Sequence, residues 1–218
     1  MVQLGELLSN IPLITRVYLI LSSILMVLCS LDIISPLSLY LNWNLVLNEH
    51  QYWRLITCFL YFGSFGLHFF WDIYVLIYYC SSLEDVTFRN NSADFLWMII
   101  VSCFMLLMVS YLFGGIYFYS SCIINVITYV WSKNNSSTRL TIFFFTIKAS
   151  YLPWVLTILS LIVDYNSSDN FFGILVGHIY FFFTSVFPLM PIAKNTQIFK
   201  TPYLLKWMLR QEEGNRVA

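Results

Sequence analysis

Charge is what this sequence has least of. Only 10% of its 218 residues are Asp, Glu, Lys or Arg, eleven basic against eleven acidic, for a formal net charge of zero. A soluble domain carries about 25% charged residues, so a water-soluble fold of this length is excluded. The zero balance gives no general attraction to nucleic acid or another polyanion. Cysteine is also sparse. The five (Cys29, Cys58, Cys80, Cys103, Cys122) lie in or beside apolar runs, with neither metal-ligand spacing nor a paired framework. They read as small packing residues, and neither a metal nor a cofactor is expected. The opening MVQLGELLSN lacks a basic n-region and an A-x-A site. It does not read as a cleaved signal peptide, and the first apolar segment is expected to act as an uncleaved anchor.

Apolar residues fill the space that charge leaves: 59% of the chain, with 19% aromatic. Several runs approach the ~20 residues that cross a ~30 Å hydrocarbon core. Six spans are expected, at about 17–31, 55–80, 95–113, 116–131, 140–163 and 171–187, followed by a polar tail, 188–218. The loops between them include SSLEDVTFRNNSAD (Ser81 to Asp94), SKNNSSTR (Ser132 to Arg139) and DYNSSDN (Asp164 to Asn170). The expected fold is an all-α membrane bundle of six transmembrane helices. With the N-terminus cytosolic, that side receives Arg16, Arg89, Lys133, Arg139, Lys194, Lys200, Lys206, Arg210 and Arg216. The other side receives Arg54, while Lys148 falls inside a span. This positive-inside asymmetry predicts an even number of spans with both termini cytosolic. The sequons at Asn90, Asn134, Asn135 and Asn166 read as polar loop residues. The first three are cytosolic in this topology, and the fourth lies in a loop too short for ready enzyme access.

Polar residues inside apolar runs are the candidate functional groups, because a charge near the bilayer centre costs ~2.5–3.5 kcal/mol on insertion scales. Asp72 and Lys148 are the most expensive and are expected to face a water-filled interior, with snorkelling the alternative for Lys148. His178 reads as an interhelical hydrogen bonder. It follows GILVG, whose Gly173 and Gly177 form a smooth strip for close helix packing. Trp53 and Arg54, between the first loop and the second span, suit an interfacial anchor.

Together these residues resemble the derlins, the rhomboid-like pseudoproteases of the endoplasmic reticulum. The resemblance runs through IPLITR (Ile11 to Arg16), QYWRLITCFLYFG (Gln51 to Gly63), YCSSLED and FRNNSADF (Tyr79 to Phe95), and YVWSKNN (Tyr129 to Asn135). It continues through LPWVL (Leu152 to Leu156), GILVGHIYFFF with VFP (Gly173 to Pro188) and KTPYLLK (Lys200 to Lys206). The second and third animal paralogues are the most similar in pattern. The resemblance implies a rhomboid fold whose large first loop lies partly in the interface and whose sixth helix packs through its glycines. It implies a role in endoplasmic-reticulum-associated degradation, passing misfolded proteins to the cytosol. The partners it implies are a membrane ubiquitin ligase complex and a cytosolic AAA ATPase. The tail, ending QEEGNRVA, lacks the Gly-rich motif with which many derlins bind that ATPase. The link is therefore expected through the ligase complex or through another derlin with a longer tail, and a homo- or hetero-oligomer with other derlins is also expected.

Active rhomboids pair a Ser on the fourth helix with a His on the sixth. The resemblance puts Ser120 at the nucleophile position, but Phe118 and Ser121 stand where the protease pattern has glycines. Asn170 falls at the position of the His. A Ser without a base is a weak nucleophile, so no enzyme is expected. The alternatives are an active intramembrane serine protease or a small-molecule transporter, for which broken-helix repeats are not evident. A thinned bilayer with a hydrophilic furrow, for which Asp72, Lys148 and His178 are the candidate residues, is the expected mechanism. Val17 to Leu31 would span only ~22 Å at ~1.5 Å per residue, and Phe171 to Phe187 is also short, against a core of ~27 Å.

Overall fold

The structure, a computed structural model, describes residues 10–89, 91–114, 117–142, 145–163, 170–191 and 198–213. Asn90, Lys194, Arg216 and most of the Asp164 to Asn170 loop, with Asn166, lie outside the described residues. The described chain is mostly helical. Three stretches are long and apolar enough to cross a membrane: Leu13–Ser30, Ser92–Phe113 and Asn170–Leu189.

Helix α1 (Leu13–Ser30) follows Pro12, whose missing N–H costs nothing at a helix start. Its Val17, Ile20, Leu21, Ile24 and Val27 face outward and are exposed, while Ile14, Ser22, Met26 and Cys29 face inward. The first loop holds a short helix, α2 (Trp43–Asn48), capped by the Asn42 side chain. Helix α3 (Arg54–Leu60) ends at Tyr61, and α4 (Leu67–Ser82) starts after Gly66. Gly63, at φ +96°, makes the turn between them. Helix α4 runs into a π-helical turn, Leu83–Thr87. Helix α5 (Ser92–Phe113) stops at Gly114, whose φ of +64° is a backbone conformation that glycine adopts far more readily than other residues.

Helix α6 (Ser120–Asn134) is the central element, buried on every side from Cys122 to Ser132. Around it lie α3, α4, α5, α7 (Leu152–Val163) and α8 (Asn170–Phe181). Strands β1 (Arg139–Ile142) and β2 (Phe145–Lys148) form an antiparallel hairpin between α6 and α7, in register from Arg139 opposite Lys148 to Ile142 opposite Phe145. Helix α9 (Tyr203–Glu213) folds back onto the start of α5. Exposed apolar residues on α1, α4, α5, α7 and α8, such as Val17, Phe70, Phe104, Ile158 and Leu175, form an outer belt. In water such a belt would be a large aggregation-prone patch; hydrocarbon is its natural solvent.

Four expectations change. The run 55–80 is two helices with a break at Tyr61–Gly66 rather than one span. Residues 139–148 of the fifth run form the hairpin, so Lys148 is on a strand and exposed, not inside a helix. The tail is not simply polar, since it contains α9. The premise for thinning also fails. Helix α1 has 18 residues, ~27 Å at ~1.5 Å per residue, and the last long stretch has 20. Neither falls short of a core of ~27 Å.

Helix α1 gains its extra length from a distant side chain. The Glu84 carboxyl oxygens, buried in the π turn, accept Ile14 N at 3.0 Å, Thr15 N at 2.9 Å and Thr15 Oγ1 at 2.8 Å. They satisfy first-turn donors that have no partner within the helix. A carboxyl group there also complements the helix dipole.

Two stability predictions follow from these contacts. Glu84→Ala should destabilise the chain by about 2–4 kcal/mol, because it leaves three buried donors unmet. At the α6–α8 contact, a Cβ on Gly173 would sit 2.4 Å from the Cys122 carbonyl oxygen, whereas one on Gly177 would meet the Tyr129 side chain at 2.9 Å. Backbone yields less than a side chain, so Gly173→Ala should cost more than Gly177→Ala, within the roughly 1–3 kcal/mol of overpacking. Thermal unfolding in detergent micelles, read by near-UV circular dichroism, checks both orders.

Candidate functional site

Where α6 and α8 approach each other, their polar side chains are locked together. The amide of Asn125 donates to Asn170 Oδ1 at 2.9 Å, and the Asn170 amide donates to Ser160 Oγ of α7 at 2.6 Å. One buried amide thus joins three helices. Further along, Tyr129 OH and His178 Nδ1 are 2.6 Å apart, and Lys133 Nζ stands 5.3 Å from the Tyr129 ring centre. Gly173 and Gly177 lie between these two bonds and permit both.

Ser120, at the first position of α6, donates to the Tyr61 carbonyl at 2.8 Å. That carbonyl belongs to the unwound segment after α3, so the hydroxyl closes a gap in backbone hydrogen bonding. Tyr119 N donates to Cys58 O at 2.9 Å, and Leu41 N to Tyr117 O at 2.9 Å. Tyr18 OH donates to Phe59 O at 2.6 Å. The break after α3 and the approach to α6 thus satisfy each other, as apolar surroundings demand of irregular backbone. His178 bonds to Tyr129, nine residues beyond Ser120 on α6, ~13 Å along the helix axis at ~1.5 Å per residue. Asn170 bonds to Asn125, closer to Ser120 but engaged on both sides of its amide.

Trp53 and Arg54 face opposite ways. Trp53 is exposed, as an interfacial ring would be. Arg54 is buried and does not reach outward. Its Nη1 donates to the carbonyls of Leu37 (3.0 Å) and Tyr40 (2.9 Å), and its Nε to Gln51 Oε1 (2.7 Å). The guanidinium lies 5.0 Å from the Tyr40 ring centre. Arg54 therefore closes the first loop by collecting its carbonyls.

Asp72 is buried in α4 and takes its partner from its own helix rather than from Lys148. His68 Nδ1 approaches Asp72 Oδ2 at 3.1 Å. The contact is electrostatic rather than an aligned hydrogen bond, because that oxygen is buried with no hydrogen-bond partner. A cavity of about 330 Å³ opens on the same helix, lined by Trp71, Tyr74, Tyr78 and Tyr79 of α4, Leu140 and Thr141 of β1 and Leu156 of α7. Asp72, Lys148 and His178 are not among its lining residues. The three expected furrow residues thus occupy separate places on α4, β2 and α8. Sequence reasoning missed Glu84, His68 and this cavity. Of these, His68 had a signal, standing one helical turn before Asp72.

Comparison with known proteins identifies this arrangement. The Der1-like family model matches residues 11–203. The chain belongs to the Der1-like family. Among its derlin relatives, Derlin-2.2 of Arabidopsis thaliana is 40% identical, with 94% of this chain and 87% of the relative covered. The probable derlin-2 homolog of Dictyostelium discoideum is 33% identical, covering 94% and 82%. Derlin-2 of Oryza sativa is 36% identical, covering 90% and 82%. The derlin resemblance read from the motifs is therefore a family relationship, and the helical membrane character goes with it.

The derlin seam and the acid on α4 should respond oppositely to mutation. Asn170→Ala strips two hydrogen bonds from the α6–α7–α8 junction and should cost about 1–3 kcal/mol. Asp72→Leu replaces a poorly partnered buried carboxyl group with an apolar side chain and should leave stability unchanged or raise it by about 1–2 kcal/mol. Unfolding temperatures of the two purified variants in one detergent test the contrast.

Proposed function

We propose that this derlin-family chain acts in the endoplasmic reticulum membrane in protein degradation, promoting retrotranslocation of misfolded proteins to the cytosol without cleaving them. Its similarity to derlins over nearly the whole chain supports the role. In this reading the chain crosses the membrane six times in a rhomboid-like bundle, with both termini cytosolic. The charge pattern supports that orientation. The start of α1 meets the end of α4 through Glu84, and the end of α6 meets α4 through Trp131 and Ser82. Arg16, Arg89, Lys133, Arg139, Lys148, Lys200 and Lys206 all belong to this end of the bundle, and Arg54 to the other. A basic end is the cytosolic end.

The observation that carries the mechanism is Asp72, an acid sunk in an apolar helix with only the His68 ring 3.1 Å from its Oδ2, on the helix whose Trp71, Tyr74, Tyr78 and Tyr79 line an aromatic cavity. Natural proteins rarely leave such a group without a purpose. The cavity walls offer apolar faces with tyrosine hydroxyls at their edges, a surface suited to an extruded, partly apolar client segment. Asp72 lowers the cost of polar groups passing along α4. The polar route, rather than undersized helices, is therefore the proposed means of transfer. Ser120 acts as a backbone clasp and His178 as a partner of Tyr129, roles that support a non-catalytic reading. Misfolded clients, a membrane ubiquitin ligase complex, further derlin copies and a AAA ATPase reached through that complex are the proposed partners.

The test is client turnover in cells lacking their own derlins, followed by translation-shutoff chase of a misfolded lumenal protein. The wild-type chain should restore turnover and co-purify with ligase components and ubiquitylated client. Ser120→Ala should match it, while Asp72→Leu should slow turnover severalfold at equal expression. Loss of turnover and of a cleavage fragment in Ser120→Ala would instead indicate a protease. Wild-type turnover with Asp72→Leu would refute the polar route.

A further inference from the structure

Helix α9 has two apolar faces, and the chain covers one of them. Leu205 and Leu209 are partly buried, and Leu209 packs against the core. The segment is pinned at the first turn of α5: Thr201 Oγ1 donates to Asp94 Oδ1 at 2.5 Å, and Lys206 Nζ stands 3.8 Å from the same oxygen. Just before the helix, Phe199 stacks on Tyr180 of α8, ring centres 5.9 Å apart. On the other face Tyr203, Leu204, Trp207 and Met208 are 79%, 66%, 64% and 58% exposed. Their i, i+1, i+4, i+5 spacing puts them on one arc at 3.6 residues per turn.

We propose that this bare face of α9 lies in the membrane interface, immersed among lipid headgroups and the adjoining acyl chains. Three observations select lipid as the occupant. Asp94, which pins the helix, is the last charged residue before the apolar run of α5, so α9 sits where that helix enters the membrane. The bare face therefore continues the apolar belt. A Tyr, a Trp and two long apolar side chains flanked by lysines match an interfacial helix. Lys200 and Lys206 are both exposed, placing positive charge at headgroup level, where anionic lipids attract basic residues. The proposal does not depend on the retrotranslocation reading. It makes α9 a surface anchor that holds the tail against the bilayer.

The experiment uses the full chain reconstituted in phosphatidylcholine vesicles, with and without phosphatidylinositol. Subtracting the tryptophan emission of Trp207→Phe from that of wild type isolates Trp207. Lipids brominated near the headgroup end of their acyl chains should quench that component severalfold more strongly than aqueous acrylamide does. Phosphatidylinositol should strengthen the lipid quenching, and Lys200→Glu should remove that gain. Joint substitution Leu204→Glu and Met208→Glu, at exposed positions that leave the core untouched, should transfer Trp207 to acrylamide. Three results would overturn the proposal: acrylamide quenching of Trp207 in wild type, shielding from both quenchers as a covering protein would give, or undiminished lipid quenching in the double variant.

Discussion

The close approach of α6 and α8 is the contact on which the rest depends. At Gly173 the space beside the helix is filled by the Cys122 carbonyl, and at Gly177 by Tyr129. Neither position has room for another atom. In hydrocarbon little hydrophobic force draws helices together, so dispersion between closely fitted backbones and hydrogen bonds in the same seam must supply cohesion. The Asn125–Asn170–Ser160 chain and the Tyr129–His178 bond supply the second part. Surrounding helices then pack on α6, which meets lipid hardly anywhere.

Irregular backbone elsewhere obeys the same accounting. The chain unwinds after α3 and before α6, yet these stretches bond to each other and to the hydroxyls of Ser120 and Tyr18. Arg54 does the same for the first loop, and Glu84 for the start of α1. Asp72 is the contrast: a buried acid whose partner His68 meets it without aligned geometry. Satisfied polar groups hold the fold, and this buried carboxyl group marks the proposed route. In the proposed mechanism, stability and function reside in different buried polar residues of one small bundle.

Several features were legible as local chemistry. The glycine pair announced a packing surface, His178 a hydrogen bonder, and the ordered motifs from Ile11 to Lys206 the family. Other features were hidden by the composition itself. RLTIFFFTIK alternates apolar and polar residues only at its ends, so the apolar background concealed a hairpin. The break inside 55–80 was signalled by Gly63 and Gly66, but apolar neighbours on both sides masked it. Asp72 and Lys148 looked alike as charges within runs, until the hairpin carried Lys148 out to the surface.

By itself the sequence determined the solvent: with so few charges and so much apolar surface, most of this chain must live in lipid. Tertiary structure alone decided the pairings. Glu84 finds α1 about seventy residues away in the chain, Ser120 finds the Tyr61 carbonyl, and α9 finds Asp94. The physical reason is that partition into lipid sums over residues wherever they stand, whereas a hydrogen bond needs two particular atoms within about 3 Å, and only the folded chain brings them there.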